Sequence, residues 1–315
     1  MNIDSEAPTL APRIFRFTDI DQFRSSIRNL SVDFTPLVRK IAAEQVILNL
    51  PGCDVNRTRS FPRIVDAQLA PDCTAVAFAM DDHEIPIRFN GAQKDRTAIA
   101  IGSDGAAYNS VEEVERQFVS VIFSPQVRDR GWPETGSNFM VFDTSRLAVH
   151  WLRKLVNEVI AVASQGDGTV DTWMRAQAMR ESLLVGIDAA FTDVVAARWS
   201  TRANSERHFK IFREINAILD GGLSQPIYTG EIAAKIGVSV RSLHDAVQRY
   251  RGMSLHRYLR LRRLWLVRKR LLAGADSVKS VALAFGFWHL SDFSRSYRQY
   301  FGETPSDTLL ALRKT

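Results

Sequence analysis

Two stretches of the chain carry one pattern: Ala233-Ala234-Lys235-Ile236-Gly237-Val238 and, 49 residues later, Ala282-Leu283-Ala284-Phe285-Gly286-Phe287. In both, an alanine stands four residues before a glycine, and an apolar residue follows the glycine. Internal repetition of this kind marks a duplicated structural unit. The residues downstream keep step. Leu243, Val247 and Gly252 follow Gly237, while Phe293, Tyr297 and Gly302 follow Gly286 with every offset longer by one. A single inserted turn residue in an otherwise equivalent unit accounts for all three offsets.

The pattern has a steric reading. Where two helices cross steeply through a short turn, a small residue in the first lets the second approach, and glycine accepts the left-handed conformation that ends the first. Each stretch therefore predicts a helix-turn-helix. Ser239 is placed to cap the second helix of the first unit, and His289 to Ser291 begin that of the second. Leu243 with Val247, and Phe293 with Tyr297, face inward at i and i+4. The outward faces then hold Arg241, His244, Asp245 and Gln248 in one unit and His289, Ser291, Ser294, Arg295 and Arg298 in the other. Such hydrogen-bonding side chains read base edges or phosphates.

Between the units, Ser254 to Ala273 reads as one helix capped by Ser254 and stopped by Gly274, with Leu255, Tyr258, Leu259, Leu266 and Leu271 on its apolar face. Arg257, Arg260, Arg263, Lys269 and Arg270 make its other faces basic, and most are assigned a structural role. An earlier helix, Glu206 to Leu219, brings Phe209, Phe212, Ile215 and Leu219 to the same core.

Charge follows this division. Residues 205–315 contain 19 Lys and Arg against 9 Asp and Glu, whereas the preceding 204 residues contain 22 against 26. A basic domain thus adjoins a mildly acidic one, and basic surfaces attract polyanions and release counterions on binding nucleic acid. A length of 315 residues suits two domains. No uncharged apolar run approaches the roughly 20 residues of a membrane span, and the start lacks a basic region followed by an apolar stretch. A cytoplasmic protein is expected.

The first domain reads differently. Val46 to Leu50, Ala75 to Met80, Ile85 to Phe89, Thr97 to Ile101 and Gln117 to Phe123 are strand-like, and Asn90-Gly91 and Asp104-Gly105 are favoured in tight reversals. A small barrel or sandwich is expected, with Pro86 at an edge or bulge. Past Asp143 the period becomes helical. Leu152, Leu155, Val156, Val159 and Ile160 share one face after a Thr144 or Ser145 cap, a loop falls at Gly166-Asp167-Gly168, and Trp173, Leu183, Leu184, Ile187, Phe191, Val194 and Val195 make a second stripe. The stretch Ser200 to Ser205 is the linker candidate.

The segment Ile227 to Leu310 resembles the DNA-binding domain of the AraC/XylS family of bacterial regulators. The likeness rests on Ile232-Ala233-x-x-x-Gly237-Val238-Ser239-x-Arg241-x-Leu243, Gly252-Met253-Ser254, the Arg-rich connecting helix, Gly286-Phe287-x-x-x-Ser291-x-Phe293-Ser294-Arg295, and Phe301-Gly302-x-x-Pro305. It implies tandem helix-turn-helix subdomains that insert into successive major grooves of double-stranded promoter DNA. Arg241, Ser242, His244 and Asp245 match the variable base-reading positions of the first unit; His289, Ser291, Ser294 and Arg295 occupy the corresponding region of the second. Ser239, Gln248 and Arg298 complete the expected DNA-binding set. Val247 in place of an aromatic, Asp245 in place of a basic residue, and the ending Pro305-Ser306-Asp307-Thr308-Leu309 depart from the family pattern.

For the first 199 residues the likeness is one of architecture, strands followed by helices, as in the cupin-like effector-binding and dimerisation domains of that family. The expected fold is α+β: a β-rich cupin-like barrel followed by helices in 1–199, a linker at 200–205, and an all-α DNA-binding domain in 206–315. The resemblance further implies an effector-responsive activator, a homodimer, contact with RNA polymerase, and no cofactor. A constitutive or architectural DNA binder, and an alkyl-accepting DNA repair enzyme, are the competing classes. Cys53 and Cys73 lack metal-site spacing and read as buried free thiols, and His83 in Asp81-Asp82-His83-Glu84 has no second histidine beside it.

Overall fold

The computed structural model describes residues 10–165, 172–194, 202–220, 228–275 and 277–312. Their contacts separate the described residues into two units: 10–34 with 41–194, and 202–312, to which residues 35–40 are also assigned. The strands of the first unit are β1 (Arg13–Phe17), β2 (Leu30–Pro36), β3 (Ala43–Leu50), β4 (Cys53–Ser60), β5 (Arg63–Leu69), β6 (Thr74–Ala79), β7 (Ile87–Phe89), β8 (Ala92–Lys94), β9 (Ala98–Ser103), β10 (Ala107–Glu112), β11 (Arg116–Phe123) and β12 (Met140–Asp143), with a short helix α1 (Ile20–Ser26) after β1.

Asn90-Gly91 is the pivot of this unit. Both residues take positive φ, 46° and 77°, and so close a two-residue hairpin in which Phe89 faces Ala92 across β7 and β8. From that hairpin the strands pair outward in nested fashion: β6 with β9, β5 with β10, and β4 with β11, all antiparallel. Successive pairs alternate between two sheets, a seven-stranded one ordered β1-β3-β4-β11-β6-β9-β12 and a five-stranded one ordered β2-β5-β10-β7-β8. A ribbon wound in this way is a jelly roll, the architecture of cupins. The barrel expected from the sequence is therefore present, with more strands than the alternation revealed. Ile85 and Pro86 lie just outside β7, where the proline needs no ladder donor.

The two-residue period of the strands sorts the large sheet into two faces. Val76 and Phe78 of β6, Ile99 and Ile101 of β9, and Val119, Val121 and Phe123 of β11 form one core with the two following helices, α2 (Arg146–Ser164) and α3 (Thr172–Thr192). Their sequence neighbours Ala75, Ala77, Ala100 and Ser120 line the barrel's interior. Ser145 caps α2 by accepting from the Ala148 amide at 3.0 Å, while Thr144 is buried and donates to the Ala190 carbonyl at 3.1 Å. In α2 Leu152, Val156, Val159 and Ile160 are buried and Leu155 half-buried.

The second stripe needs correction. Leu183, Leu184 and Ile187 of α3 are buried as expected, but Trp173 is 52% exposed and Phe191 and Val194 are only half-buried. Trp173 stands in the first turn of the helix, where Ala176 and Met179 take the buried positions instead. Gly166 to Gly168 and Val195 lie outside the described residues. Arg130 and the Trp132 indole both donate to Asp188 of α3, and these bonds hold its carboxyl below the usual carboxylate range. Cys53 and Cys73 are free and buried.

The second unit is helical: α4 (Arg202–Asp220), α5 (Thr229–Ile236), α6 (Val240–Arg251), α7 (Leu255–Leu272), α8 (Val278–Ala284), α9 (Leu290–Phe301) and α10 (Pro305–Leu312). Of the segment read as a linker, positions 200 and 201 lie outside the described residues and Arg202 to Ser205 open α4. Two cores share α7. Leu255, Tyr258 and Leu259 join α4, α5 and α6 around Phe212, Ile215 and Leu243, whereas Leu264, Val267 and Leu271 join α8 and α9 around Phe293 and Tyr297. Leu266, expected on the buried face, is half-buried, and Arg262 is buried in its place among the inward positions.

The repeat owes its form to the two helix ends. In α5 the Gly237 amide donates to the Ala234 carbonyl at 3.2 Å and the Val238 amide to the Ala233 carbonyl at 3.0 Å. In α8 Gly286 donates to Leu283 at 3.0 Å and Phe287 to Ala282 at 2.9 Å. This is the Schellman termination, which needs a left-handed residue at the glycine; φ is 75° and 78°. No neighbour lies within 4 Å of a Cβ built on Gly237. Replacement there meets open space and only backbone strain opposes it. Gly237→Ala should therefore lower stability by about 1 kcal/mol, with Gly237→Asn milder; an unchanged urea midpoint for the alanine variant would contradict this account of the turn.

Candidate nucleic-acid interface

Each Schellman end delivers the chain into a second helix. Ser239, with extended backbone, caps α6 by accepting from the Ser242 amide at 3.1 Å. His289 occupies the same place before α9 without a side-chain cap bond. Both helices close on left-handed glycines, Gly252 and Gly302.

One side of α6 is buried at Leu243, Ala246, Val247 and Tyr250, and this leaves Ser239, Arg241, His244, Asp245 and Gln248 exposed, with Ser242 half-exposed. Likewise Phe293, Ser296 and Tyr297 turn inward from α9, while His289, Ser291, Arg295 and Arg298 are exposed and Ser294 is half-exposed. Every residue expected to read DNA thus lies on the outward side of its helix. The small Val247 packs in the core with Ala246 and Tyr250, so the aromatic bulk absent at 247 is supplied three residues later.

Two further features escaped the sequence reading. Arg241 lies 4.0 Å from Asp245 and Arg295 lies 3.5 Å from Asp292, each pair on one helix face and well exposed. The spacing i to i+4 was visible for the first pair and i to i+3 for the second. The acid at 245 therefore faces Arg241. Val240 and Trp288, 42% and 62% exposed, stand at the entries of α6 and α9, and apolar groups in such positions can meet thymine methyls.

Not all the basic residues belong to the surface. Arg251, in the last turn of α6, is 1% exposed; its guanidinium lies 4.4 Å from the Phe212 ring centre and 5.2 Å from that of Tyr258, whose hydroxyl donates to Asn216 at 2.6 Å. Arg268 of α7 ion-pairs with Glu303 at 2.5 Å beneath the Phe301 ring, and Arg260 donates to the Ser296 hydroxyl. These side chains fasten α7 to its neighbours. Burial lowers the pKa of half-buried Arg263. Arg257, Lys269 and Arg270 remain exposed.

Comparison with known proteins places this geometry. A helix-turn-helix domain family matches residues 232–311. XylDLEGF operon transcriptional activator 3 of Pseudomonas putida is 36% identical over 101 residues, which is 31% of this chain and 30% of that protein. The HTH-type transcriptional regulator GbdR of Pseudomonas aeruginosa is 37% identical over 95 residues, 30% of this chain and 26% of that protein. Among solved structures, a probable AraC family transcriptional regulator from Rhodopseudomonas palustris is 32% identical, with 33% of this chain and 97% of that one covered and a TM-score of 0.30. The match spans 30% and 26% of the length of these two curated relatives. The carboxy-terminal unit is a tandem helix-turn-helix domain of the AraC type. The likeness is that of the domain: residues 232–311 carry the match, and the relatives that share it are AraC-type transcriptional regulators.

The separation of buried from exposed arginines can be measured. Arg251→Met should lower the unfolding stability by about 1–3 kcal/mol, because a charged group engaged by rings and a hydroxyl is removed from the core. The salt dependence of DNA affinity in the folded variant should stay unchanged. A slope reduced by about one unit would instead place Arg251 on a phosphate.

Proposed function

We propose that the whole chain is a sequence-specific transcriptional regulator that reads two adjacent major grooves with α6 and α9. The observation that carries this is the repeated Schellman turn. It delivers two helices with polar outward faces from cores at either end of a single strut. With 18 residues, α7 is about 27 Å long at about 1.5 Å per residue, close to the rise of one turn of B-DNA, about 34 Å. The base-reading set is Ser239, Arg241, Ser242, His244, Asp245 and Gln248 on one side and His289, Ser291, Ser294, Arg295 and Arg298 on the other.

In this reading residues 1–199 form the effector-binding and dimerisation domain, 200–205 the linker and 206–315 the DNA-binding domain. A hollow jelly roll supports the effector role. The exposed apolar side chains Leu147, Trp151 and Val162 of α2 support a homodimer contact. The names of the Pseudomonas putida relatives favour an activator, which acts on promoter DNA together with RNA polymerase, in the cytoplasm, by binding rather than catalysis. Among the described residues no helix is long and apolar enough to cross a membrane.

Two measurements test the reading. Arg295→Ala should relax base preference at one position of the site and cost about 1–3 kcal/mol of specific binding if the guanidinium contacts a base pair bidentately; a uniform loss across sequences, with a shallower salt slope, would assign it to phosphate. The site itself should be asymmetric, with contact segments about 10 base pairs apart. Inserting about 5 base pairs between the segments turns one to the far side of the duplex and should cripple binding, whereas the same insertion outside should not. Protection confined to one groove, together with tolerance of the internal insertion, would defeat the two-groove geometry.

A further inference from the structure

The second helix-turn-helix unit is one residue longer than the first, and the extra residue can be placed. In each unit the residue after the Schellman glycine packs beneath the helix that follows: Val238 joins the core that holds Leu243, and the Phe287 ring lies 4.9 Å from that of Phe293. Leu243 and Phe293 both stand four residues past the cap of their helix, the position at which an apolar residue from before the cap finds its partner. In the first unit the cap, Ser239, follows Val238 at once. In the second, Trp288 intervenes between Phe287 and the cap, His289. The insertion is therefore a tryptophan, and the packing that an apolar residue here would ordinarily provide is already supplied by Phe287.

Released from the core, Trp288 is 62% exposed. Among the described residues its side chain makes no hydrogen bond and no ring contact. A single exposed apolar side chain needs no function to explain it; the place of this one does call for one. The exposed residues that follow it, His289, Ser291, Asp292 and Arg295, are all polar. They form the amino-terminal end of α9, the part of a recognition helix that meets base edges. In the major groove every base-pair group is a hydrogen-bond donor or acceptor except one, the C5-methyl of thymine, where cytosine carries only hydrogen. An indole set among polar side chains at this end has that methyl as its complement. The first unit has no equivalent: Val240 is 42% exposed, but it lies past its cap as the first residue of α6 and is a far smaller group.

We propose that Trp288 selects a thymine in the major groove beside α9 by covering its 5-methyl group with the indole ring. The second unit then separates thymine from cytosine by an apolar contact, which its hydrogen-bonding residues do not supply. This rests on the reading of α9 as a groove-inserting helix and adds to its base-reading set a residue that precedes the helix.

The test uses the full-length protein and a duplex that it selects from a random-sequence pool. Each thymine of the protected site is replaced in turn by deoxyuridine, which removes the methyl group and nothing else. At one position affinity should fall about fourfold, the weight of one buried methyl group. Trp288→Ala should bind the thymine and uracil duplexes equally at that position, Trp288→Phe should keep most of the discrimination, and Val240→Ala should leave it unchanged. The uracil series in the unaltered protein reads the contact without any variant, and the melting of Trp288→Ala shows that it folds. Uracil equal to thymine throughout the site, or a thymine preference that survives Trp288→Ala, would overturn the proposal. A loss in Trp288→Ala that is uniform across sequences, with a shallower salt slope, would assign the indole N–H to phosphate and overturn it as well. In each of these cases the groove reading stands if Arg295→Ala relaxes base preference. If Arg295→Ala does not, and protection is confined to one groove, that reading falls and this inference with it.

Discussion

The Val238 amide reaches back to the Ala233 carbonyl at 3.0 Å, and it can do so because Gly237 takes a φ of 75°. That bond, with its counterpart from Phe287 to Ala282, satisfies carbonyls a helix end would otherwise leave open and turns the chain sharply. Everything that follows in each unit depends on the turn. It sends the chain directly into the next helix, half-buries an apolar residue just past the glycine, Val238 or Phe287, and commits one side of α6 or α9 to the core. The alanine is small because it stands where two helices meet, and it is 6% exposed in one unit and 0% in the other. Polar side chains then have one place left, the outward face.

The helix α7 converts two such units into one domain. Its apolar residues serve different cores in its two halves, which explains why its buried positions do not form a single stripe. Part of its basic character is absorbed by this role: Arg262 is buried, and Arg268 and Arg260 bond to Glu303 and Ser296. The net positive charge of the domain thus overstates the charge offered to solvent. A basic count along the sequence is an upper bound on electrostatic reach, because a guanidinium can lie against aromatic rings as readily as it faces a phosphate.

How far the fold was legible depended on how local its causes are. The helix-turn-helix repeat was readable because a Schellman turn is decided within six residues, and the type of residue it demands at the glycine has few substitutes. The Asn90-Gly91 hairpin was readable for the same reason. Strands β4, β5 and β10 were not. Cys53-Asp54-Val55-Asn56-Arg57-Thr58 puts polar Asn56 and Thr58 into the barrel interior, so neither face of the strand supplies the apolar run by which a core strand is recognised. Hollow interiors hide strands in this way, since the residues facing the cavity are chosen for what they leave open. Trp173 misled in the opposite sense: a large apolar residue at helical spacing looks like core, yet the first turn of α3 buries the smaller Ala176 instead. The candidate residues were legible as an outward face, while the pairing of Arg241 with Asp245 and of Arg295 with Asp292, visible in their i to i+4 and i to i+3 spacing, went unread.

Those acids bear on how specificity arises. An exposed pair such as Arg295 and Asp292 is worth a fraction of a kcal/mol in water, about 0.2–1, so it barely holds the guanidinium when a base edge is offered. On a phosphate backbone of random sequence the same carboxylate is repelled, and the pair together presents no net charge. In the proposed reading, two arginines partnered by acids, Arg241 and Arg295, add little to general affinity, while the exposed Arg257, Lys269 and Arg270 of α7 keep theirs. Discrimination depends on the difference between right and wrong sites rather than on the strength of either. In the proposed reading a bidentate contact to guanine more than offsets that small cost, whereas a single phosphate oxygen offsets less of it, so each pair widens the difference by a fraction of a kcal/mol.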